Sequence, residues 1–421
     1  MTAEVCVMNR LAVVLAADSA TTVTYWGENG QEERYFKGAN KIFQLSNSHP
    51  VGIMIFDSAD LLKVPWEVVI KDFRRHLGDR SFNDVPGYAA EFFAYIDGNK
   101  NMFPDAAQHE AFLEVVRSGL FDLLVAPTRA VNGSPAEKKA AMDKYIAAEG
   151  ARIADLNVPD CIANNALPQA IEACRVEMVQ WANELAHAFE LTAPDDTAAV
   201  VEIAISRIFK EPSQHMSTGG LVFAGFGDHD IFPSMAHFTS CGLLAGRHVH
   251  LPGEAMKIDH ETPAWLAPFA QRNMADTFSA GVSFDIYSST LQSVTEGLAP
   301  FVQRLGEAAN FDPAAIENLG ELIAQARGEI GDAILAKARK EHALPMRRIL
   351  GALPVDELAE LAETLINLQS LKEKVTKPSA SVGGPVDVAA ITRSEGLVWI
   401  KRKHYFDSAI NSRYMARIKA I

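Results

Sequence analysis

The chain has 421 residues, 48% of them hydrophobic and 22% charged, with a formal net charge of −14. That composition suits a globular protein with a substantial core. The acidic balance argues against a general nucleic-acid binder, whose affinity rests on neutralising phosphates. No apolar run reaches the roughly 18 residues of a bilayer span and no basic-then-apolar leader is present, so a cytoplasmic protein without a membrane partner is expected.

The length allows one large domain or two to three ordinary ones. Cys6, Cys161, Cys174 and Cys241 show no CxxC spacing, so neither a disulfide framework nor a thiolate metal site is expected. At the front, Thr2 precedes a run that alternates Val5 and Val7 against Cys6 and Met8. A turn at Asn9-Arg10 leads into the apolar strand Leu11–Ala17, which ends on Asp18. Were Met1 removed, Thr2 would carry both a hydroxyl nucleophile and an amine base. An α-amino group titrates at about 7.7–8 and can take the hydroxyl proton directly or through one water. Such a site needs a cation beside the amine and an anion to fix that cation; Lys41 and Asp18 are the candidates.

Ser19–Phe36 reads as a long hairpin turning at 27–30, and Lys41–Leu45 and Val51–Phe56 as the next strands. Asp57-Ser58 offers an N-cap for a helix Ala59–Leu77 kinked at Pro65. Residues 85–212 carry helical periodicity over Tyr88–Ile96, Glu110–Val125, Pro135–Asp155, Leu167–Leu191 and Asp195–Phe209. Strands resume at Gly219–Phe226, Ile231–Thr239 and Cys241–Leu251. His248 and His250 share one strand face, but no third ligand of clear spacing accompanies them, so no metal site is expected. From Pro263 to Ala352 the pattern reads as helical, beginning with Ala267–Phe278. Val355–Val375 shows a one-sided apolar stripe (355, 358, 361, 365, 368, 371) that should pack on a sheet, with Glu357, Glu360, Glu363, Lys372 and Glu373 on a solvated face.

Three segments resemble one family. The Thr2 to Asp18 spacing, the Asn40-Lys41-Ile42-Phe43-Gln44-Leu45 run and the stretch Gly383-Gly384-Pro385-Val386-Asp387-Val388 through Gly396 are similar to the proteasome-type N-terminal-nucleophile hydrolases. Within these, the chain resembles a bacterial proteasome-like group with VGIM and PWE near the front and WIKRKHYFD at the back. The resemblance implies an α+β fold, a four-layer αββα sandwich with large helical insertions. Its discontinuous core would comprise 1–80, 215–255 and 375–410, with a helical insertion at 85–212 and helices at 263–375 divided between insertion and core packing. The insertion at 85–212 reads equally as a lid or partner surface over the cleft and as extra scaffold.

The resemblance also implies a threonine-type amidohydrolase, most readily a peptidase, with Thr2 as nucleophile, Lys41 and Asp18 beside it, and no metal or organic cofactor. Two features depart from the family. Its oxyanion donor follows the strand matching Val51–Phe56, at a glycine, where this sequence has Phe56-Asp57-Ser58. The family's Asp and Ser, three apart before the glycine pair, fall on Ser379 and Val382. The acid is thus missing, and Ser381, one position out of register, is the remaining catalytic candidate. Ser279 and Gly281 are a looser match to a serine-glycine element near the nucleophile. The expected partners are a peptide or protein substrate and further copies of the chain in a homo-oligomer; an unfoldase is not identifiable. A catalytically inactive assembly or binding protein and a small-molecule amidase remain open as alternatives.

Overall fold

The computed structural model describes residues 2–27, 30–312, 316, 318–376, 382–407 and 409–419. In chain order its strands are β1 (Ala3–Asn9), β2 (Ala12–Ala17), β3 (Ala20–Gly27), β4 (Gly30–Lys37), β5 (Ile42–Gln44), β6 (Val51–Asp57), β7 (Asp60–Leu61), β8 (Val64–Pro65), β9 (Gly219–Gly225), β10 (Ser234–Leu244), β11 (Arg247–Lys257), β12 (Ala264–Ala270), β13 (Asp387–Thr392) and β14 (Gly396–Lys401). Ten of these form two antiparallel five-stranded sheets, ordered β12-β1-β2-β13-β14 and β11-β10-β9-β6-β5. The fold is mixed α+β.

Alternation along β1 decides what each face touches. Ala3, Val5 and Val7 pack with Leu358, Ala362 and Leu365 of the helix Val355–Thr376. Cys6 and Met8, joined by Val13 and Leu15 of β2, pack against Met54, Val222 and Ala224 of the second sheet. The far face of that second sheet holds the helices Trp66–Leu77 and Val85–Gly98, which bury Trp66, Val69, Ile70, Phe73 and Phe92 against Ile53, Leu221 and Phe223. Burial of one large apolar side chain contributes about 1.5–3 kcal/mol. A one-residue slip of β1 would exchange both of its buried faces at once, so its register is strongly specified. A separate core ties the helices of 105–210 to Cys241, Leu244 and Val249 at the β10–β11 hairpin. Among the described residues, no helix is long and apolar enough to cross a membrane.

Several expectations are corrected. The first helix begins at Trp66 rather than Ala59. The small β7–β8 ladder turns through Leu62 and Lys63, both at positive φ, and uses up the residues before Pro65. The turn in the 240s lies at Ala245-Gly246, where φ is 50° and 80°, so Cys241 belongs to β10. Two residues at positive φ are what a two-residue hairpin loop demands. Residues 264–270 form no helix: they are edge strand β12, paired to β1 from Ala3↔Ala270 to Asn9↔Ala264. Pro268 is compatible with that edge position, where a missing N–H breaks no central ladder. On Val355–Thr376 the buried stripe drifts from the expected one, as an untwisted 3.6-residue period requires. Leu368 and Leu371 are 40% and 57% exposed, while Gln369 and Glu373 are buried.

Candidate active site

Thr2 lies immediately before β1, its carbonyl accepting the Gln271 N–H at 2.9 Å from the end of β12. It is only 6% exposed. Two residues on, Glu4 points from the same side of the strand, and Thr2 Oγ1 donates to Glu4 Oε2 at 3.2 Å. Lys41, one residue ahead of β5, reaches both acids: Nζ is 2.9 Å from Glu4 Oε1 and 2.5 Å from Asp18 Oδ1. The structure therefore brings Thr2, Asp18 and Lys41 into one buried cluster, with Thr2 joined to Lys41 through Glu4.

Asp18 is held from three directions. Its Oδ1 accepts the Ala3 N–H at 3.2 Å as well as Lys41, and its Oδ2 accepts the Gly383 N–H at 2.7 Å. Gly383 and Gly384 have φ of 140° and 86°, backbone that L side chains rarely adopt. A Cβ on Gly384 would stand 3.1 Å from the Lys37 Cβ. The glycine pair thus lets the chain pass close to Asp18 and Ser19. Ser19 N–H donates to the Gly383 carbonyl at 3.3 Å, and the Ser19 hydroxyl donates to the Pro385 carbonyl.

Electrostatically, one ammonium serves two carboxylates, with Glu4 and Asp18 each 1% and Lys41 5% exposed. Burial pushes the Glu4 carboxyl up to about 7. The neighbouring Asp18 charge adds to this, while Lys41 and the Thr2 hydrogen bond oppose it. Near neutrality Glu4 is consequently able to gain or lose a proton, which an exposed glutamate is not.

Glu4 is the site residue the sequence reading missed. Its signal was present: one carboxylic acid inside a largely apolar strand, in period-two phase with Thr2. Ser381 lies outside the described residues. Ser279 spends its hydroxyl on the Asp276 carbonyl of its own helix, at 3.2 Å. Asp57, standing where a glycine was expected, has the left-handed φ of 62° that glycine ordinarily supplies. Burial raises its carboxyl above the usual range, against the pull of nearby positive charge that includes Lys41.

No group of three His, Cys, Asp or Glu among the described residues could hold a metal ion. His248 and His250 stack on each other with centroids 5.6 Å apart, and the His248 Nε2 pairs with the Ser240 hydroxyl at 2.7 Å. Burial lowers His248 to about 3, so it stays neutral in the core. One residue beyond Asp57, Ser58 lines a cavity of about 220 Å³ that also touches Leu61, Trp66, Met216 and Ser240.

No family model matches the chain, and no curated protein matches it. Among solved structures it is similar to the Anbu (Gly-1) mutant from Hyphomicrobium sp. strain MC1, at 8% identity over 100% of this chain and 96% of that one, with a TM-score of 0.25. A likeness at that level of superposition carries no argument about this chain's fold or chemistry.

Proposed function

We propose that the chain is a threonine-type N-terminal-nucleophile amidohydrolase acting on peptides, with Thr2 exposed by removal of Met1. One observation carries this reading: a buried threonine hydroxyl at the head of a core strand, hydrogen-bonded into a carboxylate–ammonium–carboxylate cluster. Thr2 Oγ1 attacks the carbonyl carbon, the amine product leaves, and water releases the acyl group from Oγ1. Lys41 supplies positive charge to the cluster, reaching the reacting oxygen through Glu4, and Asp18 holds Lys41 in place. Two groups stand ready for the hydroxyl proton: the α-amine freed with Met1, and Glu4. The chemistry calls for no metal or organic cofactor.

In this reading the two facing sheets and the helices on their outer faces are the four layers of an αββα sandwich. The core runs over 1–80, 215–255 and 375–410, extended by β12. The helices of 85–212, beyond the one at Val85–Gly98 that packs on the sheet, are an insertion serving as lid or partner surface. The protein works in the cytoplasm as a homo-oligomer. Intact mass spectrometry of the purified chain with a β-lactone or epoxyketone probe tests the assignment. The expected result is a mass beginning at Thr2 with one adduct that is absent in Thr2→Ala. Retention of Met1 with no adduct, or labelling undiminished in Thr2→Ala, rejects it.

Asp57 favours a second reading, a non-catalytic assembly or binding protein. A carboxylate on the last residue of β6 would oppose an oxyanion forming there. Peptide hydrolysis lost in Thr2→Ala excludes that reading, and turnover of simple amides but not peptides would move the assignment to a small-molecule amidase.

A further inference from the structure

Glu4 has no counterpart in the site the sequence suggested, and its position is an expensive one. It is 1% exposed, on the inter-sheet face of β1 beside Cys6 and Met8. A carboxylate there costs stability unless charge and hydrogen bonds compensate it. Both of its oxygens are engaged: Oε1 faces Lys41 Nζ at 2.9 Å, and Oε2 accepts the Thr2 hydroxyl at 3.2 Å.

We propose that Glu4 is the catalytic proton acceptor for the Thr2 hydroxyl, with Lys41 shared between Glu4 and Asp18 so that one of the two acids can take up a proton. This rests on Thr2 being the nucleophile. The separation is within the reach a general base needs. Glu4 lies in β1, whose register both sheet faces enforce, and Thr2 stands immediately before that strand with its carbonyl held by the Gln271 N–H at 2.9 Å, so backbone pairing sets their geometry. The charged groups facing Glu4 are Lys41 and Asp18, which act in opposite directions on it, and the α-amine that removal of Met1 frees on Thr2, which when protonated pulls the Glu4 carboxyl down as Lys41 does. The outcome of burial and these charges is a carboxyl that titrates near neutrality, where a base is most effective.

The proton count closes. As Oγ1 bonds to the acyl carbon, the hydroxyl proton passes to Glu4 Oε2. As the C–N bond breaks, Glu4 returns that proton to the leaving nitrogen. Water then adds to the ester carbonyl and gives its proton to Glu4, and Glu4 hands it to Oγ1 as the Oγ1–C bond breaks. With a β-lactone the first transfer is the same, and the ring oxygen released by C–O cleavage takes the proton from Glu4.

The test is the rate of β-lactone acylation of the full-length protein between pH 5 and 9, followed by intact mass for the wild type, Glu4→Gln, Glu4→Asp and Thr2→Ala. The wild-type rate should rise with pH through a midpoint near that of Glu4, about 7. Glu4→Gln should acylate at least about 100-fold more slowly and lose that midpoint. Glu4→Asp keeps a carboxyl one methylene further back and should recover part of the rate with a displaced midpoint. Glu4→Gln labelling at the wild-type rate with the wild-type pH profile overturns the proposal. If Glu4→Gln does not fold, as judged by its melting transition, Glu4→Asp decides: an unchanged rate and midpoint overturn it. Labelling that survives Thr2→Ala, or none in the wild type, instead removes the nucleophile assignment. Labelling that needs Thr2 but ignores Glu4 removes only the role of Glu4.

Discussion

The Asp18 carboxylate accepts the Gly383 amide at 2.7 Å, fastening the end of β2 to the turn that leads into β13, 365 residues further along the chain. Its other oxygen takes Lys41 and the Ala3 N–H. Asp18 is therefore as much a structural clasp as an electrostatic partner. Asp18→Ala should cost about 3–5 kcal/mol, because it leaves a buried ammonium under-compensated and a buried amide unpaired. Asp18→Asn retains an acceptor for Gly383 and should cost less. Urea unfolding of the two variants checks this; equal losses would mean that the clasp to Gly383 contributes nothing.

Lys41 is the one cation recorded between Glu4 and Asp18 among the described residues. Lys41→Met would leave two buried carboxylates facing one another, and the loss should again be about 3–5 kcal/mol at pH 8. The sign with pH is fixed by Glu4. Without Lys41 its carboxyl rises further, so it is neutral at pH 5.5 and the repulsion disappears. The destabilisation should shrink as pH falls from 8 to 5.5. Melting temperatures at the two pH values give the comparison, and Thr2 acylation should fall sharply at both.

How far the sequence discloses such a site depends on what each signal reports. Thr2, Asp18 and Lys41 lie at the ends of short, strongly apolar strands, and it is the resemblance of those segments to one family that implies their meeting. β12 was unreadable because Ala264–Ala270 contains Trp265, Leu266, Pro268 and Phe269 without a clean period of two. Its identity comes from pairing with β1, from Asn9↔Ala264 to Ala3↔Ala270, a contact between distant parts of the sequence that no local pattern encodes. The β10–β11 register was missed for the opposite reason. The break expected between Thr239 and Cys241 lies beside a strand irregularity that holds Gly242 at φ 91°, and the turn falls to Ala245-Gly246. Glu4 was legible in principle. Attention to the apolar members of β1 concealed that its one acid shares a face with Thr2.

Glu4 also makes stability depend on pH in a definite direction. Its carboxyl is raised from an ordinary 4.5 to about 7 on folding, so between these values the folded chain binds more protons than the unfolded one. Stability from this group is fully present below pH 4.5 and is lost as pH rises through 7, by about 3 kcal/mol in all. Glu4→Gln abolishes the titration. From pH 5 to pH 8 the melting temperature of the wild type should therefore fall relative to that of Glu4→Gln. Parallel curves for the two proteins would show that the Glu4 carboxyl is not raised.

Asp57 supplies the last prediction, since its backbone and its side chain pull in different directions. At φ 62° it occupies the left-handed region, where a Cβ costs roughly 1–2 kcal/mol, less for aspartate, whose carboxyl can bond locally. Asp57→Ala keeps the Cβ and loses the carboxyl, whereas Asp57→Gly removes both. Asp57→Gly should thus be more stable than Asp57→Ala by about 1 kcal/mol, measured by urea unfolding. If the end of β6 faces the developing oxyanion, both variants should acylate at Thr2 faster than the wild type, because a negative charge near that oxygen has gone. Unchanged acylation in both, with the stability difference present, would place the oxyanion elsewhere and leave Asp57 a purely conformational residue.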